Sequence, residues 1–503
     1  MRISNSFPRL AGLGALLAGG ALLGACSSSS KDKTDAGANN GGSANGGDSG
    51  APTAGADWTM MGFDNKNTYF NQAEKKITKD SVKNWEKAWE FDAGDGNTVT
   101  CTPVVANGKA YLLSSAKLTA VDLATGNVEW ESDDCVADPA AKKCYGGYSS
   151  LAYADHVLYV NDIGGVLHAV SDADGSELWK NQPDTQAGLV GFSSPIVTKD
   201  YVLVGGSTLE EVAVPAGGAS FRGFIAAVKK DGTDGWKRYT IDEPEHGVTL
   251  WSSVSVDEAD GTVYAATGNN HGPPAGAHSD AFLAVPLADG GDFKWTPLQI
   301  LTGDIWEVSA AGGAIGSPDA DFGANPILFE VDGRKLMAAG NKGGNVMVAD
   351  RTTGEKIQTR NLGPGSANRG GVFINGAWDG KHLLFAANGA TSTGDGSETP
   401  ADPANVSTLF ALDPLTLDVI WERQLGDVVF GTISVANGVG FVGKNATLQA
   451  FDTETGEKLA EFPTEATIAT SPAVSNGYVV FGSGMSWSGG SIAGQKYYAV
   501  RVP

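Results

Sequence analysis

The chain has 503 residues, of which 41% are hydrophobic and 18% charged, and its formal net charge is −23. This hydrophobic share is too high for a disordered chain, and the 69 glycines show no collagen-like period. The acidic excess argues against a surface that follows nucleic-acid phosphates, so we expect no nucleic-acid partner. These values leave a large folded protein of roughly one to three domains.

Residues 1–25 have the pattern of an export signal. Arg2 and Arg9 flank the start of an apolar run rich in Ala, Leu and Gly, which is too short to cross a bilayer comfortably. The run ends in Leu-Gly-Ala-Cys, which resembles a bacterial lipobox. We therefore expect lipidation of Cys26 and anchoring in the cell envelope, facing the periplasm or the cell surface; an ordinary signal peptide with an incidental cysteine is the alternative.

Residues 26–56 have the composition of a linker. Ser, Gly, Asn, Ala and Asp dominate, and large apolar side chains are almost missing. Such a segment cannot offset its ordering entropy by burial, which predicts a lipidated cysteine followed by a flexible tether. The folded domain is predicted to span residues 57–503.

The remaining cysteines agree with export. Cys135 and Cys144 bracket a short polar loop and could form a local disulfide in an oxidising compartment, although Cys101 is an alternative partner. The sequence contains no Cys-x-x-Cys-His, so it has no attachment site for a c-type haem.

One phrase recurs along the predicted domain. Its clearest copies are LTAVDLATGNVEW (118–130), LFALDPLTLDVIW (409–421) and LQAFDTETGEKLA (448–460). The first half of the phrase is typical of a β-strand, and its central residue recurs at positions 120, 169, 227, 284, 348, 411, 450 and 499. These unequal intervals favour propeller blades with loop insertions over a solenoid.

Each phrase reads as a strand, a tight turn at Asp and Thr-Gly, and a second strand, usually after a further hairpin. Eight copies predict an all-β, eight-bladed β-propeller, with the terminal YYAVRVP closing the ring by completing the first blade. Two stacked β-sandwiches are the alternative.

Five tryptophans recur at the end of the phrase: Trp130, Trp179, Trp236, Trp295 and Trp421. They are predicted to fill the gaps between adjacent sheets, and we assign none of them to chemistry.

The repeated AxDxxTGxxxW phrase resembles the tryptophan-docking motif of quinoprotein alcohol dehydrogenases, propellers that hold pyrroloquinoline quinone (PQQ). The opening DWTMMGFDNKNTYFN is similar to the N-terminal signature of these enzymes, and DADFGANPILFEVDGRKLMAAGNKGGNVMVAD is closest to the polyvinyl alcohol dehydrogenase branch. The resemblance covers about residues 57–503. It implies PQQ and Ca²⁺ as cofactors, a secondary or polymeric alcohol as substrate, and a separate cytochrome c or quinone as electron acceptor.

The resemblance also implies a cofactor site. Trp251 matches the tryptophan on which the quinone stacks, and Lys342 matches the cation beside the quinone carbonyls. Glu210 and Asn269 match the calcium ligands, although Glu211 could replace Glu210 in register. A carboxylate and an amide oxygen, completed by quinone oxygens, form a plausible site for a hard cation.

The segment LTGDIWEVSAAG resembles the stretch that carries the catalytic base. Glu307 falls at the base position, where the family has aspartate, and Asp304 is the alternative. Two further departures are Ser149 at the position of a cofactor-binding arginine and the absence of a vicinal disulfide. They motivate a second hypothesis, a non-catalytic propeller lipoprotein that scaffolds cell-envelope proteins.

The six histidines do not cluster along the sequence. His271 and His278 lie seven residues apart in a loop rich in Gly, Pro and Ala, where we expect ordinary loop residues. The sequence therefore predicts no histidine metal site.

Overall fold

Hairpins organise this protein into antiparallel sheets of four or five strands. The computed structural model describes residues 57–94, 99–114, 117–132, 149–211, 218–272, 276–300, 319–365, 370–392, 398–399, 406–485 and 492–503. The predicted export signal and linker lie outside these residues, and so do Cys26, Cys135 and Cys144.

The first strand, β1 (Glu86–Asp92), joins the last sheet. Blade 1 consists of β2 (Val104–Ala106), β3 (Lys109–Leu113), β4 (Leu118–Asp122) and β5 (Val128–Ser132). Blade 2 consists of β6 (Ala152–Ala154), β7 (Val157–Asn161), β8 (Leu167–Ser171) and β9 (Glu177–Asn181). Blade 3 consists of β10 (Leu189–Val190), β11 (Ile196–Val197), β12 (Tyr201–Thr208), β13 (Phe224–Lys229) and β14 (Asp234–Tyr239). Blade 4 consists of β15 (Ser255–Asp257), β16 (Thr262–Ala266), β17 (Ala281–Pro286) and β18 (Leu298–Gln299).

Blade 5 consists of β19 (Ile327–Val331), β20 (Arg334–Gly340), β21 (Asn345–Asp350) and β22 (Glu355–Asn361). Blade 6 consists of β23 (Ala377–Trp378), β24 (Leu383–Asn388), β27 (Ser407–Leu412) and β28 (Val419–Gln424), with a separate pair β25 (Thr391–Ser392) and β26 (Glu398–Thr399) inserted. Blade 7 consists of β29 (Ser434–Ala436), β30 (Val439–Lys444), β31 (Thr447–Asp452) and β32 (Lys458–Pro463). Blade 8 consists of β33 (Ala473–Ser475), β34 (Tyr478–Ser483), β35 (Lys496–Arg501) and β1.

The helical content of the described residues is two short 3₁₀ turns, Ser81–Asn84 and Leu209–Glu211. Neither is long and apolar enough to cross a membrane, and the described part of the chain holds no other helix.

These sheets form an eight-bladed propeller, as predicted, which excludes the two-sandwich alternative. Each of the eight repeat positions from 120 to 499 lies on the third strand of its own blade, counted in blade 3 from β11. One strand of each blade contacts at least one neighbouring blade and is called the inner strand: β2, β6, β11, β15, β19, β23, β29 and β33. The inner strands follow one another in chain order around the ring, and β33 of the last blade contacts β2 of the first. The uneven repeat spacing therefore reflects loop insertions between regular blades.

The ring closes through both ends of the domain. The predicted closing strand β35 pairs with β34 on one side and with β1 on the other. In this register Trp89 of β1 lies opposite Ala499. The final phrase of the repeat lacks its own turn and tryptophan, and the N-terminal strand supplies the tryptophan instead.

The repeat tryptophans dock onto the neighbouring blade, as predicted. The indole Nε1–H of Trp130 donates to the Asp172 carbonyl at 2.9 Å, and the ring lies against Gly175, where a Cβ would come within 2.6 Å. The same pairing of an indole with a turn glycine of positive φ recurs at five other junctions, for Trp89, Trp179, Trp236, Trp295 and Trp421. Only glycine combines this backbone conformation with contact to a flat ring.

A belt of polar side chains surrounds the propeller axis. Its eight members each lie two residues before an inner strand: Thr102, Ser150, Ser194, Ser253, Asn325, Asn375, Thr432 and Ser471. At six junctions the backbone N–H of one member donates to the side-chain oxygen of the next, at 2.6–3.0 Å. The belt thus satisfies its own backbone donors, which precede the inner strands and have no strand partner.

Residues 57–71, the strap, cross one mouth of the ring. The strap makes backbone hydrogen bonds with the inner strands of six blades, at Val105, Tyr153, Val256, Leu328, Trp378 and Val435. Each of these residues lies three positions after a belt member. Trp58 and Tyr69 of the strap are fully buried, and the Tyr69 hydroxyl accepts a hydrogen bond from Asn325 Nδ2 of the belt at 2.9 Å. The strap therefore occupies the mouth toward which the inner strands run.

Candidate functional site

The candidate residues lie at the mouth opposite the strap. Trp251 precedes the belt residue Ser253 by two positions, and Gly323 holds the same place before Asn325. Because the inner strands all run from this mouth toward the strap, residues that precede the belt lie at the end of the axis opposite the strap.

Lys342 is the centre of a buried charge cluster. Its Nζ lies 2.8 Å from Asp321 Oδ2, 3.2 Å from Asp319 Oδ2 and 5.1 Å from the centroid of the Trp251 ring. Both aspartate side chains are 1% exposed. Two carboxylates and an ammonium group thus lie beside an indole face, away from bulk water, where charge interactions are strong.

Asp321 connects this cluster to Asn269. Its Oδ1 accepts a hydrogen bond from the Asn269 backbone N–H at 2.8 Å while its Oδ2 accepts one from Lys342. The Lys342 backbone N–H in turn donates to the Asp321 carbonyl at 3.0 Å. Asp321 therefore fixes two loops relative to each other, one after β16 and one after β20.

Glu210 lies in the 3₁₀ turn after β12, and its side chain is buried. Its carboxylate accepts hydrogen bonds from the backbone N–H groups of Ser220 and Phe221 at 3.0–3.1 Å and from the Ser220 hydroxyl at 3.2 Å. Burial alone would raise the pKa of Glu210, but His271 and these donors outweigh it, so the pKa is lowered. Glu210 is thus held as a carboxylate.

His271 links Glu210 to the rest of the site. Its Nδ1 lies 3.6 Å from Glu210 Oε2, and it follows Asn269 by two residues. Contrary to the sequence-based expectation of an ordinary loop residue, the side chain is fully buried. The contacts run without a break from Glu210 through His271 and the Asn269 loop to Asp321 and Lys342.

Gly323 leaves room for the indole of Trp251. A Cβ at this position would come within 2.3 Å of the ring and 2.9 Å of the Phe373 carbonyl. The Trp251 Nε1 atom is buried and makes no hydrogen bond within the described part of the chain. A flat ring with a cation nearby and an uncommitted donor is an arrangement that suits an aromatic, anionic ligand.

The four predicted cofactor and metal residues are therefore brought into one connected cluster. Their roles stay predictions, as does the choice of Glu210 over Glu211. Asp304 and Glu307, the two candidates for the base, lie outside the described residues. Among the described residues, no three His, Cys, Asp or Glu side chains form a metal-ligating group.

Sequence reasoning missed Asp319 and Asp321. Both lie in the stretch DADFGANPIL, where the resemblance assigns no site residue. The sequence did hold a signal, because Asp319 and Asp321 are separated by one residue and precede the inner strand β19. Trp251 occupies a similar place in its blade, before the inner strand β15. Counting from the belt positions would have placed them at the same mouth.

Several known proteins resemble this chain. Residues 58–361 match the sequence model of a family described as PQQ, glucose/ethanol/alcohol dehydrogenase, β-propeller domain. The chain is 29% identical over 398 residues to polyvinylalcohol dehydrogenase of Sphingopyxis sp. (strain 113P3), covering 70% of this chain and 59% of that relative. It is 26% identical over 355 residues to quinohemoprotein alcohol dehydrogenase ADH IIB of Pseudomonas putida, covering 62% and 48%.

Solved structures agree on the fold. Quinohemoprotein alcohol dehydrogenase ADHIIG of Pseudomonas putida HK5 aligns with a TM-score of 0.72 at 18% identity, over 89% of this chain and 80% of that chain. The chain spans about half the length of the two curated relatives, 59% and 48%.

Proposed function

This chain belongs to the family of PQQ-containing glucose, ethanol and alcohol dehydrogenase β-propellers, and we propose that it oxidises a secondary or polymeric alcohol. PQQ and calcium are the cofactors that this family uses. In our proposal the electrons pass to a separate cytochrome c or quinone, and the protein is exported and lipid-anchored through Cys26. The polymeric substrate is supported by the name of the Sphingopyxis relative, polyvinylalcohol dehydrogenase.

The residues present fit the cofactors. Trp251 offers an apolar face with Lys342 Nζ above it, as a flat polycarboxylate requires. Glu210 and Asn269 provide oxygen donors of the kind that calcium prefers, and the lowered pKa of Glu210 keeps its negative charge at neutral pH. Bound at these residues, PQQ and calcium would supply the acceptor for the hydride of the alcohol.

We propose a base from the same cluster. Asp321 already accepts short hydrogen bonds on both oxygens, which suits a structural link. Asp319 makes the longer contact to Lys342, 3.2 Å, and we assign it the task of accepting the hydroxyl proton of the alcohol. Lys342 then balances the charge of the carboxylate and holds it in place. Glu307 and Asp304 remain the candidates that the sequence gives.

The observation that carries this proposal is the contact of Lys342 with both aspartates and the Trp251 ring. The test adds PQQ and calcium to the purified protein and measures quinone absorbance and dye reduction with primary, secondary and polymeric alcohols. Asp319→Asn is expected to lower kcat by about 10²–10⁴-fold and to keep the quinone absorbance. Glu307→Gln and Asp304→Asn are the matched comparisons.

Two outcomes would contradict parts of this assignment. If Asp319→Asn kept full activity while Glu307→Gln or Asp304→Asn lost it, the base would be the residue whose substitution removed activity. If the wild type showed no change in quinone absorbance and no turnover, the enzyme hypothesis would be rejected in favour of the envelope scaffold.

The anchor has its own test. Cys26→Ser is expected to abolish incorporation of a labelled fatty acid and to move the protein from the membrane fraction to the soluble fraction, because a thiol is needed for lipidation. Unchanged membrane association and labelling in this variant would contradict anchoring through Cys26.

A further inference from the structure

His271 has no role in the function proposed above, yet its position is unusual. The side chain is 0% exposed, and neither Nδ1 nor Nε2 makes a hydrogen bond within the described part of the chain. Burying polar atoms without partners costs free energy, and an apolar residue would avoid that cost. The imidazole therefore needs an explanation beyond packing.

The backbone holds the His271 ring in place. The His271 backbone N–H donates to the His246 carbonyl at 3.0 Å. Gly247, at φ +90°, lies so close that a Cβ there would come within 2.5 Å of His271 N and 2.8 Å of its Cδ2. One side of the ring is thus confined by main chain, and its Nδ1 edge lies toward Glu210.

Polar groups approach the carboxylate of Glu210 from two directions. Ser220 and Phe221 donate to it at 3.0–3.2 Å, while His271 Nδ1 lies 3.6 Å from Oε2. Because a carboxylate oxygen can only accept, it selects the tautomer that carries hydrogen on Nδ1. The separation is longer than a hydrogen bond, so this donor is close to Glu210 but not yet engaged.

We propose that His271 is a positioning residue for the metal-binding carboxylate of Glu210. Its Nδ1–H donates to Oε2 when the cation is bound and fixes the orientation in which Glu210 presents its oxygens. Donors of this kind behind a metal ligand typically change metal affinity by about 10–100-fold. The inference rests on the proposed function, since it requires that Glu210 binds the metal.

The experiment measures calcium affinity rather than activity. PQQ-loaded wild type, His271→Leu and His271→Asn are titrated with calcium by calorimetry, and each unfolding temperature is measured without calcium. We expect about 10–100-fold weaker binding in His271→Leu, an almost unchanged unfolding temperature, and recovery of most of the affinity in His271→Asn, whose Nδ2 replaces the donor. His156→Leu, at a side chain that is 78% exposed on blade 2, is the control.

His271→Met also lacks a hydrogen-bond donor at this position. It is made as a second variant, so that the comparison remains possible if His271→Leu does not fold. Wild-type calcium affinity in a folded donor-free variant would overturn the positioning role while leaving the proposed function intact. Equal loss of affinity in His271→Asn and His271→Leu would also overturn it. If the wild type bound neither PQQ nor calcium at any concentration tested, both the positioning role and the proposed function would be overturned.

Discussion

At the scale of single residues, the blade junctions depend on glycines. At Gly290 the backbone has φ +61°, and a Cβ would come within 2.2 Å of the Trp236 ring. The Trp236 indole N–H meanwhile donates to the Leu287 carbonyl at 2.8 Å, so the ring cannot retreat without losing this bond. The junction therefore tolerates neither a side chain nor a different backbone conformation at this position.

Gly290→Ala is expected to be markedly destabilising. The left-handed backbone costs about 1–2 kcal/mol for alanine, and the clash with Trp236 adds about 1–3 kcal/mol. Gly333→Ala is the matched control, since Gly333 has φ +76° but no atom within 4 Å of its notional Cβ. Chemical denaturation of both variants gives the comparison, and equal losses in the two would show that the indole contact is unimportant.

The docking tryptophans also show what the sequence reveals at this scale. Trp130, Trp179 and Trp421 were predictable because each follows a turn at fixed spacing. Trp89 was missed because its partner strand lies at the other end of the chain. Asp319 and Asp321 were missed for a related reason: their importance comes from Lys342, which follows more than twenty residues later.

At the scale of elements, the hairpin of β8 and β9 carries a buried histidine between two acids. His168 Nδ1 lies 2.8 Å from Glu177 Oε2, and its Nε2 lies 3.3 Å from Asp162 Oδ2. Burial alone would lower the pKa of His168, but the two carboxylates outweigh it and the pKa is raised. The imidazole thus joins the hairpin to the loop that precedes it, and the raised pKa favours its protonated form.

The stability of this hairpin should depend on pH. Because the pKa is raised on folding, the contribution of His168 is complete below the unfolded-state value of about 6.5 and disappears as pH rises through the higher folded-state value. The difference in unfolding free energy between wild type and His168→Gln is therefore expected to be largest near pH 6 and to shrink toward pH 9. Thermal unfolding across this range measures it, and a difference that grows with pH would refute the charged assignment.

At the scale of the whole molecule, stability depends on closing the ring. β1 and β35 come from opposite ends of the domain and pair over six positions. An open ring would expose two strand edges and leave Trp89 without its position against Gly126. Closure is therefore a cooperative property that no single blade possesses.

A chain ending at Gln495 lacks β35 and is expected to lose cooperative unfolding, because both β1 and β34 lose their partner. A chain ending at Arg501 keeps the strand and is the control. Circular dichroism melts and size-exclusion chromatography compare the two, and a sharp wild-type transition in the shorter chain would contradict the role of closure.

The sequence was sufficient for the architecture because its information is repeated. Seven phrases with a strand and a turn, and a final strand half, specify blade number and the docking of Trp130 and Trp179, even where loops differ in length. The site occurs once, so nothing in the repeat identifies it. Trp251, Glu210, Asn269 and Lys342 came from resemblance alone, and their connection through Asp321 and His271 depends on distances that only the folded chain defines.

The strap also determines how reactants would reach the site. Residues 57–71 bind to the inner strands at the end of the axis opposite Asp319. Under the proposed function, an incoming alcohol and the departing carbonyl compound would pass through the mouth opposite the strap. For a polymeric alcohol we therefore expect entry and release at that mouth, rather than the chemical step, to limit turnover.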